Sequence, residues 1–299
     1  MSMLAPFLLM TLARQSPCKI NLLLNILGRR SDGFHELETL IQPVALWDEL
    51  TFRRAGSGLR LSCSHPALPV DAGNLVHRAA TAFLTTAGIH EGVSLHLEKR
   101  VPLAAGLGGG SSNAANTLLG LNELFGEPLR PAELTALAAV LGSDVPFFLQ
   151  GKPALATGRG ETIQPLEPFA SLQGMYLLLI HPGFGISTAW AYQQLARFPG
   201  ALQGERGRAE QLVADLQRED ISAAARGFYN SLEKPVFEKY PLLSLYQAFL
   251  REQGCVATLM SGSGSTTFAL ARDRKGAERL RAEFLRRFGE AGWTAALPL

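Results

Sequence analysis

The stretch Val101-Pro-Leu-Ala-Ala-Gly-Leu-Gly-Gly-Gly-Ser-Ser-Asn-Ala114 places a loop with few bulky side chains just before a helical pattern. From Ser111 onward apolar residues recur at helical spacing, so the free N–H groups and the positive dipole end of a helix point back into the glycines. We expect positive φ angles at Gly108–Gly110 and N-caps at Ser111 and Ser112. The pattern predicts a phosphate-binding loop that needs no lysine.

Two better-known phosphate motifs do not fit this stretch. A Walker A loop needs a lysine after its last glycine, whereas Asn113 and Ala114 follow the two serines here. A Rossmann fingerprint needs a differently spaced third glycine and an acidic residue about 20 positions on. The remaining alternative is a flexible glycine connector followed by an ordinary capped helix.

Composition describes a folded protein with room for two domains. The chain has 299 residues, of which 47% are hydrophobic and 18% charged, and its net charge is +2. So small a charge does not indicate a nucleic-acid partner. Three cysteines without metal-ligand spacing favour a reducing cytoplasm. The apolar segment Leu4–Ala13 lacks a basic n-region and is too short to span a bilayer, so we expect no export and no membrane span. No motif residue lies before Ser16, so we expect residues 1–9 to be dispensable, the alternative being an apolar segment that packs on the first strand.

Strand and helix patterns alternate along the chain without repeats. Period-two or apolar runs predict strands at residues 17–28, 37–44, 50–54, 59–63, 93–97, 175–180, 255–260 and 266–270. Helical spacing predicts helices at 74–87, from 111, at 131–141, several between 188 and 253, and one from 274. This mixture indicates an α+β fold in two domains, with a junction in the aperiodic segment 165–173.

Two charged residues stand in unusual settings. Lys19 lies in an apolar strand two positions before Asn21, so both side chains point to the same face. Asp144 lies in Leu-Gly-Ser-Asp-Val-Pro-Phe-Phe-Leu149, between a helix stop and a proline turn. The alternatives are an edge lysine that reaches solvent and an aspartate that caps a helix. A second glycine-rich segment, Leu259–Thr266, joins two predicted strands, and its alternative is a simple hairpin.

The string from Pro102 to Ala114 resembles the ATP-binding motif of the GHMP family of small-molecule kinases. Gly-Ser-Asp-Val-Pro-Phe-Phe resembles the segment that carries their catalytic aspartate, and Leu259–Thr266 resembles their C-terminal glycine motif. The resemblance implies an N-terminal domain like that of ribosomal protein S5 (residues 1–165), with a left-handed β-α-β element, and a C-terminal GHMP kinase domain (166–299).

The same resemblance assigns roles to residues. It implies that Lys19 and Asp144 are the catalytic pair, and that ATP and Mg²⁺ are required, with no protein residue committed as a metal ligand. The residues implied to bind ATP are Pro102, Leu103, Ala104, Ala105, Gly106, Leu107, Gly108, Gly109, Gly110, Ser111 and Ser112.

Gly28-Arg-Arg-Ser-Asp-Gly-Phe-His-Glu-Leu-Glu-Thr-Leu40 resembles the members of this family that phosphorylate a cytidine diphosphate derivative in isoprenoid precursor synthesis. Two departures are Cys18, where alanine is usual, and Phe34, where tyrosine is common. A phenyl ring still stacks on a base, so only a phenol hydrogen bond is lost. The residues implied to bind this substrate are Asn21, Phe34, His35, Thr188 and Tyr192, with Trp190 as an alternative to Tyr192.

Two other functions compete with this one. Homoserine kinase would share the glycine motifs but leaves Phe34-His35 unexplained. A non-catalytic nucleotide-binding or S5-like RNA module conflicts with the presence of both Lys19 and Asp144 and with the small net charge. We expect a cytoplasmic enzyme that is a monomer or a weak homodimer.

Overall fold

Two long strands, β1 (Thr11–Arg29) and β2 (His35–Ala55), begin the part of the chain that the computed structural model describes, namely residues 11–218, 220–290 and 292–299. The chain forms two units, and each strand contributes to both. Of the described residues, the first unit contains 11–18, Leu46–Val101 and Gly109–Gly151. The second contains Lys19–Ala45, Pro102–Gly108 and Lys152–Leu299. Residues 1–9, expected above to be dispensable, lie outside the described residues.

The first unit packs three helices beside a sheet. Its sheet is formed by β2, β3 (Leu59–Cys63) and β4 (Gly92–Glu98), where β2 pairs antiparallel with β4 and β3 pairs parallel with β4. Its helices are α1 (Leu75–Thr86), α2 (Gly109–Leu124) and α3 (Pro131–Leu141), and all three pack against one another.

Local sequence explains why these helices form where they do. Asn74 caps α1 by accepting a 2.9 Å hydrogen bond from the N–H of Val76. In α2, a β-carbon on Gly120 would lie 2.4 Å from the ring of Phe52 on β2. Glycine therefore lets α2 approach the sheet closely, and any larger residue would displace the ring.

The second unit contains the remaining strands and helices. Residues Leu37–Ile41 of β2 pair antiparallel with β5 (Ala154–Gly158), which pairs with β6 (Thr162–Pro165), and β1 pairs parallel with β8 (Tyr229–Asn230). A second, antiparallel sheet has the order β11 (Trp293–Pro298), β7 (Tyr176–His181), β10 (Thr267–Ala271) and β9 (Ala257–Met260). The helices are α4 (Thr188–Gln194), α5 (Pro199–Leu202), α6 (Arg208–Gln217), α7 (Ile221–Arg226), α8 (Glu233–Lys239), α9 (Pro241–Glu252) and α10 (Arg274–Phe288).

The mixed α+β class is confirmed, and several boundaries need correction. The two predicted strands at 37–44 and 50–54 are one continuous strand, β2. Its first part pairs with β5 and its last part with β4, and Pro43 lies between these two paired segments. Helix α2 begins at Gly109 and not at Ser111. Strands β5, β6, β8 and β11 were not predicted. Each unit is made of several separate segments of the chain and does not correspond to one boundary after residue 165. The division into domains 1–165 and 166–299 stays a prediction.

The three cysteines are all free thiols. Cys18 is fully buried, and Cys63 on β3 is half-buried. Burial raises the pKa of the half-buried Cys255 thiol to about 11. Within the described ranges, no helix combines the length and the apolar character that a membrane span requires.

Candidate active site

Lys19 is held in a polar cluster inside the second unit. Its side chain is 3% exposed, and Nζ donates hydrogen bonds to Oδ1 of Asn21 (2.6 Å) and to the carbonyl oxygen of Gly106 (2.9 Å). Asn21 in turn donates to Oγ1 of Thr39 on β2 at 2.8 Å. The prediction that Lys19 and Asn21 share one face of the strand is confirmed, and Lys19 is a buried cation and not an edge lysine.

The loop segment Pro102–Gly108 is fastened to this cluster by its backbone. The N–H of Lys19 donates to the carbonyl of Leu107 at 2.9 Å, and the N–H of Thr266 donates to the carbonyl of Ala105 at 3.1 Å. Gly106 has φ +75°, and a β-carbon there would lie 2.0 Å from the carbonyl oxygen of Ser261. Only glycine fits this position.

Of the positive φ angles predicted at Gly108–Gly110, the one at Gly108 is confirmed, and two further ones lie earlier in the loop. Gly106 (φ 75°), Gly108 (φ 69°) and Ala104 (φ 50°) adopt the left-handed conformation. Gly109 and Gly110 instead start the helix. A β-carbon at position 109 would lie 3.2 Å from Cγ1 of Val101, a tight contact that would require the valine side chain to shift.

The first turn of α2 consists of Gly109, Gly110, Ser111 and Ser112. The two serines lie inside this turn, so their predicted N-cap role is wrong. Ser112 is fully buried, and its Oγ accepts a 2.8 Å hydrogen bond from the hydroxyl of Ser16. The first N–H groups of a helix have no partner within it, so this turn offers donors to an anion.

A buried ion pair between Asp48 and Lys99, which the sequence did not reveal, holds the backbone just before the glycine-rich loop. Asp48 is fully buried, and its carboxylate accepts from Nζ of Lys99 and from the backbone N–H groups of Arg100 (2.7 Å) and Val101 (2.9 Å). Asn113, in α2, donates to the same carboxylate at 2.9 Å. Asp48 therefore joins the residues before the loop to the helix that follows it. A polar residue between apolar strand positions was the only sequence signal.

Asp144 is half-buried in the first unit, in the turn after α3. The 3-10 helix Pro146–Leu149 follows it, and the N-cap position of that helix belongs to Val145, which makes no side-chain cap. Asp144 thus precedes the N-cap position of this helix by one residue. Val145, Phe147 and Phe148 are buried around the turn, which fixes the backbone that carries the carboxylate.

Aromatic rings meet at the start of β2. Phe34 is 51% exposed, and its backbone N–H donates to Oδ1 of Asp32 at 3.1 Å. The rings of His35 and Tyr192 lie 5.2 Å apart. Burial, followed by the charge of Arg29, lowers the pKa of His35, so its imidazole is neutral at neutral pH. The two ring planes are tilted by 43°, and the neutral imidazole of His35 offers one nitrogen that can donate and one that can accept.

Trp190 belongs to a different group of side chains. Its ring packs edge-on to Tyr240 at 5.9 Å, and Nζ of Lys239 lies 4.3 Å from its centroid. Of the two rings weighed from the sequence, Tyr192 is the one beside His35. The other predicted substrate residue, Thr188, shares a 2.8 Å hydrogen bond between hydroxyls with Ser263 of the second glycine loop.

That second loop, Ser261–Thr266, joins the antiparallel strands β9 and β10. The N–H of Ser261 donates to the carbonyl of Thr266 at 2.9 Å, and Oγ of Ser261 donates to the carbonyl of Gly106 at 3.0 Å. The loop is thus a hairpin connection that also contacts the Lys19 cluster. Across residues 11–218, 220–290 and 292–299, no three His, Cys, Asp or Glu side chains converge to hold a metal ion.

Comparison with protein families matches two parts of the chain. Residues 74–152 match the N-terminal domain of GHMP kinases, and residues 212–291 match their C-terminal domain. The chain is 43% identical over 277 residues to a 4-diphosphocytidyl-2-C-methyl-D-erythritol kinase of Synechococcus sp. (strain JA-3-3Ab), covering 91% of this chain and 89% of that protein. It is 42% identical over 274 residues to the enzyme of the same name from Gloeobacter violaceus, with 91% and 89% covered.

Solved structures give a consistent result. A crystal structure of 4-(cytidine 5'-diphospho)-2C-methyl-D-erythritol kinase superimposes with a TM-score of 0.79 at 38% identity, covering 96% of this chain and 100% of that one. A homoserine kinase from Cytophaga hutchinsonii gives a TM-score of 0.74 at 22% identity, over 96% and 93% of the two chains. At that identity the second likeness concerns the fold alone.

Proposed function

Because the chain belongs to the family of 4-diphosphocytidyl-2-C-methyl-D-erythritol kinases, within the GHMP kinases, we propose that it transfers the γ-phosphoryl group of ATP to the 2-hydroxyl of 4-diphosphocytidyl-2-C-methyl-D-erythritol. The family matches also confirm the predicted fold of N- and C-terminal GHMP kinase domains. Its product then belongs to the non-mevalonate route to isoprenoid precursors. The structural observation that carries the substrate assignment is the His35–Tyr192 ring pair beside an exposed Phe34.

The reaction is a phosphoryl transfer, which depends mainly on alignment and charge stabilisation. The substrate hydroxyl oxygen forms a bond to the γ-phosphorus, the bond from that phosphorus to the β,γ-bridging oxygen breaks, and ADP leaves. In our proposal the carboxylate of Asp144 accepts the hydroxyl proton, a contribution worth about 10²–10⁴-fold. Lys19 places a buried positive charge where negative charge develops on the transferred group.

Two elements supply backbone groups for the ATP phosphates. The segment Pro102–Gly108 is free of bulky groups at Gly106 and Gly108, and the first turn of α2 carries unsatisfied N–H donors. We propose that ATP binds as its Mg²⁺ complex. The hydroxyl of Ser112 is buried and bonded to Ser16, so phosphate oxygens and water supply the metal ligands in this proposal.

The cytosine base is recognised by rings and a neutral imidazole. Phe34 stacks on one face of the base, Tyr192 on the other, and His35 hydrogen-bonds to its edge. A neutral His35 suits this role because one ring nitrogen donates and the other accepts. Asn21 and Thr188 complete the substrate contacts, since they lie next to Lys19 and to the second glycine loop respectively.

The main alternative is another GHMP kinase, such as a homoserine kinase. That activity leaves the ring pair of His35 and Tyr192 and the exposed Phe34 without a ligand. An S5-like RNA-binding module is a different class, and its affinity would fall steeply with salt. We further propose a cytoplasmic enzyme that is a monomer or a weak homodimer.

The deciding experiment measures ADP release in a coupled assay with the diphosphocytidyl substrate, with homoserine and without acceptor. We expect release only with the first. Calorimetric titration with CDP and with UDP adds a test of base recognition, because uracil inverts donor and acceptor at two positions of the edge, N3 and the exocyclic group on C4. Equal affinity for the two nucleotides, or turnover with homoserine, would contradict the proposal.

A further inference from the structure

Asn230 is a buried amide whose hydrogen bonds converge on the second glycine loop. It lies on β8, which pairs with Leu23–Leu24 of β1, and it is 2% exposed. Its Nδ2 donates to the carbonyl oxygens of Met260 (2.7 Å) and Gly262 (2.8 Å), while Oδ1 accepts from the N–H of Leu232 (2.9 Å). Both amide protons are therefore used on the loop backbone.

The other side of this loop contacts the Lys19 cluster. A β-carbon on Gly262 would lie 3.2 Å from Nζ of Lys19 and 3.1 Å from the carbonyl oxygen of Gly106. Ser261 donates from Oγ to the same Gly106 carbonyl, which also accepts from Lys19. The loop backbone is therefore bonded to Asn230 at the carbonyl of Gly262 and lies close to Nζ of Lys19 at the α-carbon of the same residue.

We propose that Asn230 is a positioning residue for Lys19. By holding the carbonyls of Met260 and Gly262, it fixes the loop against Gly106 and so sets the position of the ammonium group. Asn230 itself touches no reacting atom in this scheme. The inference rests on the proposed kinase function for its catalytic consequence, though the positioning itself is a property of the folded chain.

Neighbouring contacts support an anchoring role and not a simple packing role. Glu233, three residues later, accepts a 2.8 Å hydrogen bond from the N–H of Met260. The backbone at the entrance of the loop is therefore held from both directions, by a donor side chain on its carbonyl and an acceptor side chain on its N–H. A residue that only filled space would not need this complementary pair.

The test compares Asn230→Asp with a matched control, Asn122→Asp. The first change keeps the acceptor for Leu232 and removes both donors to the loop. Asn122 is also a buried amide, 9% exposed, that bonds the backbone of Leu129 with both its donor and its acceptor, but it lies in α2. We expect Asn230→Asp to lower kcat about 10- to 100-fold, as for misplaced catalytic groups. KM values should stay within about 3-fold, and Asn122→Asp should change only the melting temperature.

A double-mutant cycle with Ser261→Ala tests the route through the loop. If Asn230 acts through this backbone, the double variant Asn230→Asp/Ser261→Ala loses less activity than the product of the two single effects, whereas Asn122→Asp combines with Ser261→Ala independently. Independent effects in the Asn230 cycle would contradict the inference.

A readout that does not depend on turnover separates this inference from the proposed function. In protein with 13C-labelled lysine side chains, the Lys19 signal is assigned by its loss in Lys19→Met. We expect its chemical shift to change in Asn230→Asp and to be unchanged in Asn122→Asp. An unchanged Lys19 signal overturns the inference, while a wild-type protein inactive on the diphosphocytidyl substrate overturns the proposed function alone. If Asn230→Asp does not fold, Asn230→Ser undergoes the same measurements with the same criteria.

Discussion

Nζ of Lys19 donates a 2.6 Å hydrogen bond to Oδ1 of Asn21, two residues further along the same strand. The amide of Asn21 is itself oriented by Thr39, whose hydroxyl donates to the carbonyl of Leu23 at 2.5 Å. This chain of contacts keeps the ammonium group fixed on a strand where a free lysine would sample several rotamers. A preoriented cation stabilises charge that appears during a reaction better than a mobile one.

The first prediction concerns Lys19→Met. This change removes the charge and keeps the length of the side chain, so kcat should fall about 10²–10³-fold, the cost of removing one preorganised donor. ATP affinity should change little by comparison. Steady-state kinetics on Lys19→Met and on Lys152→Met, a change at an exposed lysine paired with Glu167, provide the measurement and its control. Weaker ATP binding with an unchanged kcat would assign Lys19 to ground-state phosphate binding.

The second prediction concerns Asp144→Asn, which removes the proton acceptor and keeps the shape of the side chain. Turnover should fall about 10²–10⁴-fold while the calorimetric affinities for ATP and CDP stay within a few-fold. Asp71→Asn is a suitable control because Asp71 is an exposed aspartate whose carboxylate accepts a hydrogen bond from the N–H of Gly73. Near wild-type turnover of Asp144→Asn would leave the proposal without a general base.

The third prediction separates crowding from backbone strain in the phosphate loop. Gly106→Ala introduces a β-carbon 2.0 Å from the carbonyl of Ser261 at a φ of +75°. Gly126→Ala has nearly the same φ, +80°, and open space around the new carbon, so it isolates the strain, about 1–2 kcal/mol. We expect thermal unfolding to show this smaller loss for Gly126→Ala, and Gly106→Ala to lose both more stability and ATP affinity. Equal effects would show that the loop tolerates displacement from the hairpin.

The fourth prediction concerns Glu233, whose pKa is raised by burial. A carboxyl with a raised folded-state pKa binds its proton more tightly in the folded protein. Its stabilising contribution is therefore present below the ordinary value of 4.5 and is lost as pH rises through the folded-state pKa. Urea unfolding of wild type and Glu233→Gln across this range should show the variant gaining relative stability as pH rises. A difference that is constant with pH would mean that the hydrogen bonds from Met260 and Gln247 fully offset the burial.

Sequence patterns predicted elements whose signals are local. Helix α3 begins at Pro131 and ends before Gly142, as proline and glycine punctuation indicates, and the face shared by Lys19 and Asn21 follows from the period of a strand. Sequence patterns failed to predict strand boundaries that depend on which strands pair with each other. The two parts of β2 were predicted as separate strands because the change of partner along β2, from β5 to β4, leaves no trace in the sequence.

The candidate site shows the same division between local and distant causes. Glycines and serines before a helix marked the phosphate loop, but the actual positive φ angles depend on the hairpin that approaches Gly106. Asp48 and Lys99 are separated by 51 residues and pair only after folding. Asn230 gave no signal at all, since a single buried amide acquires its meaning from the carbonyls that it meets.

The uneven burial of the three thiols makes the wild-type protein suitable for labelling at a single position. A maleimide dye reacts with an accessible thiolate. Cys18 is fully buried and therefore inaccessible, and the Cys255 thiol, whose pKa is about 11, stays protonated at neutral pH. The dye therefore attaches at Cys63, on β3, which packs against α1. Fluorescence from that one position then reports ligand binding and unfolding in the first unit without any cysteine having to be replaced.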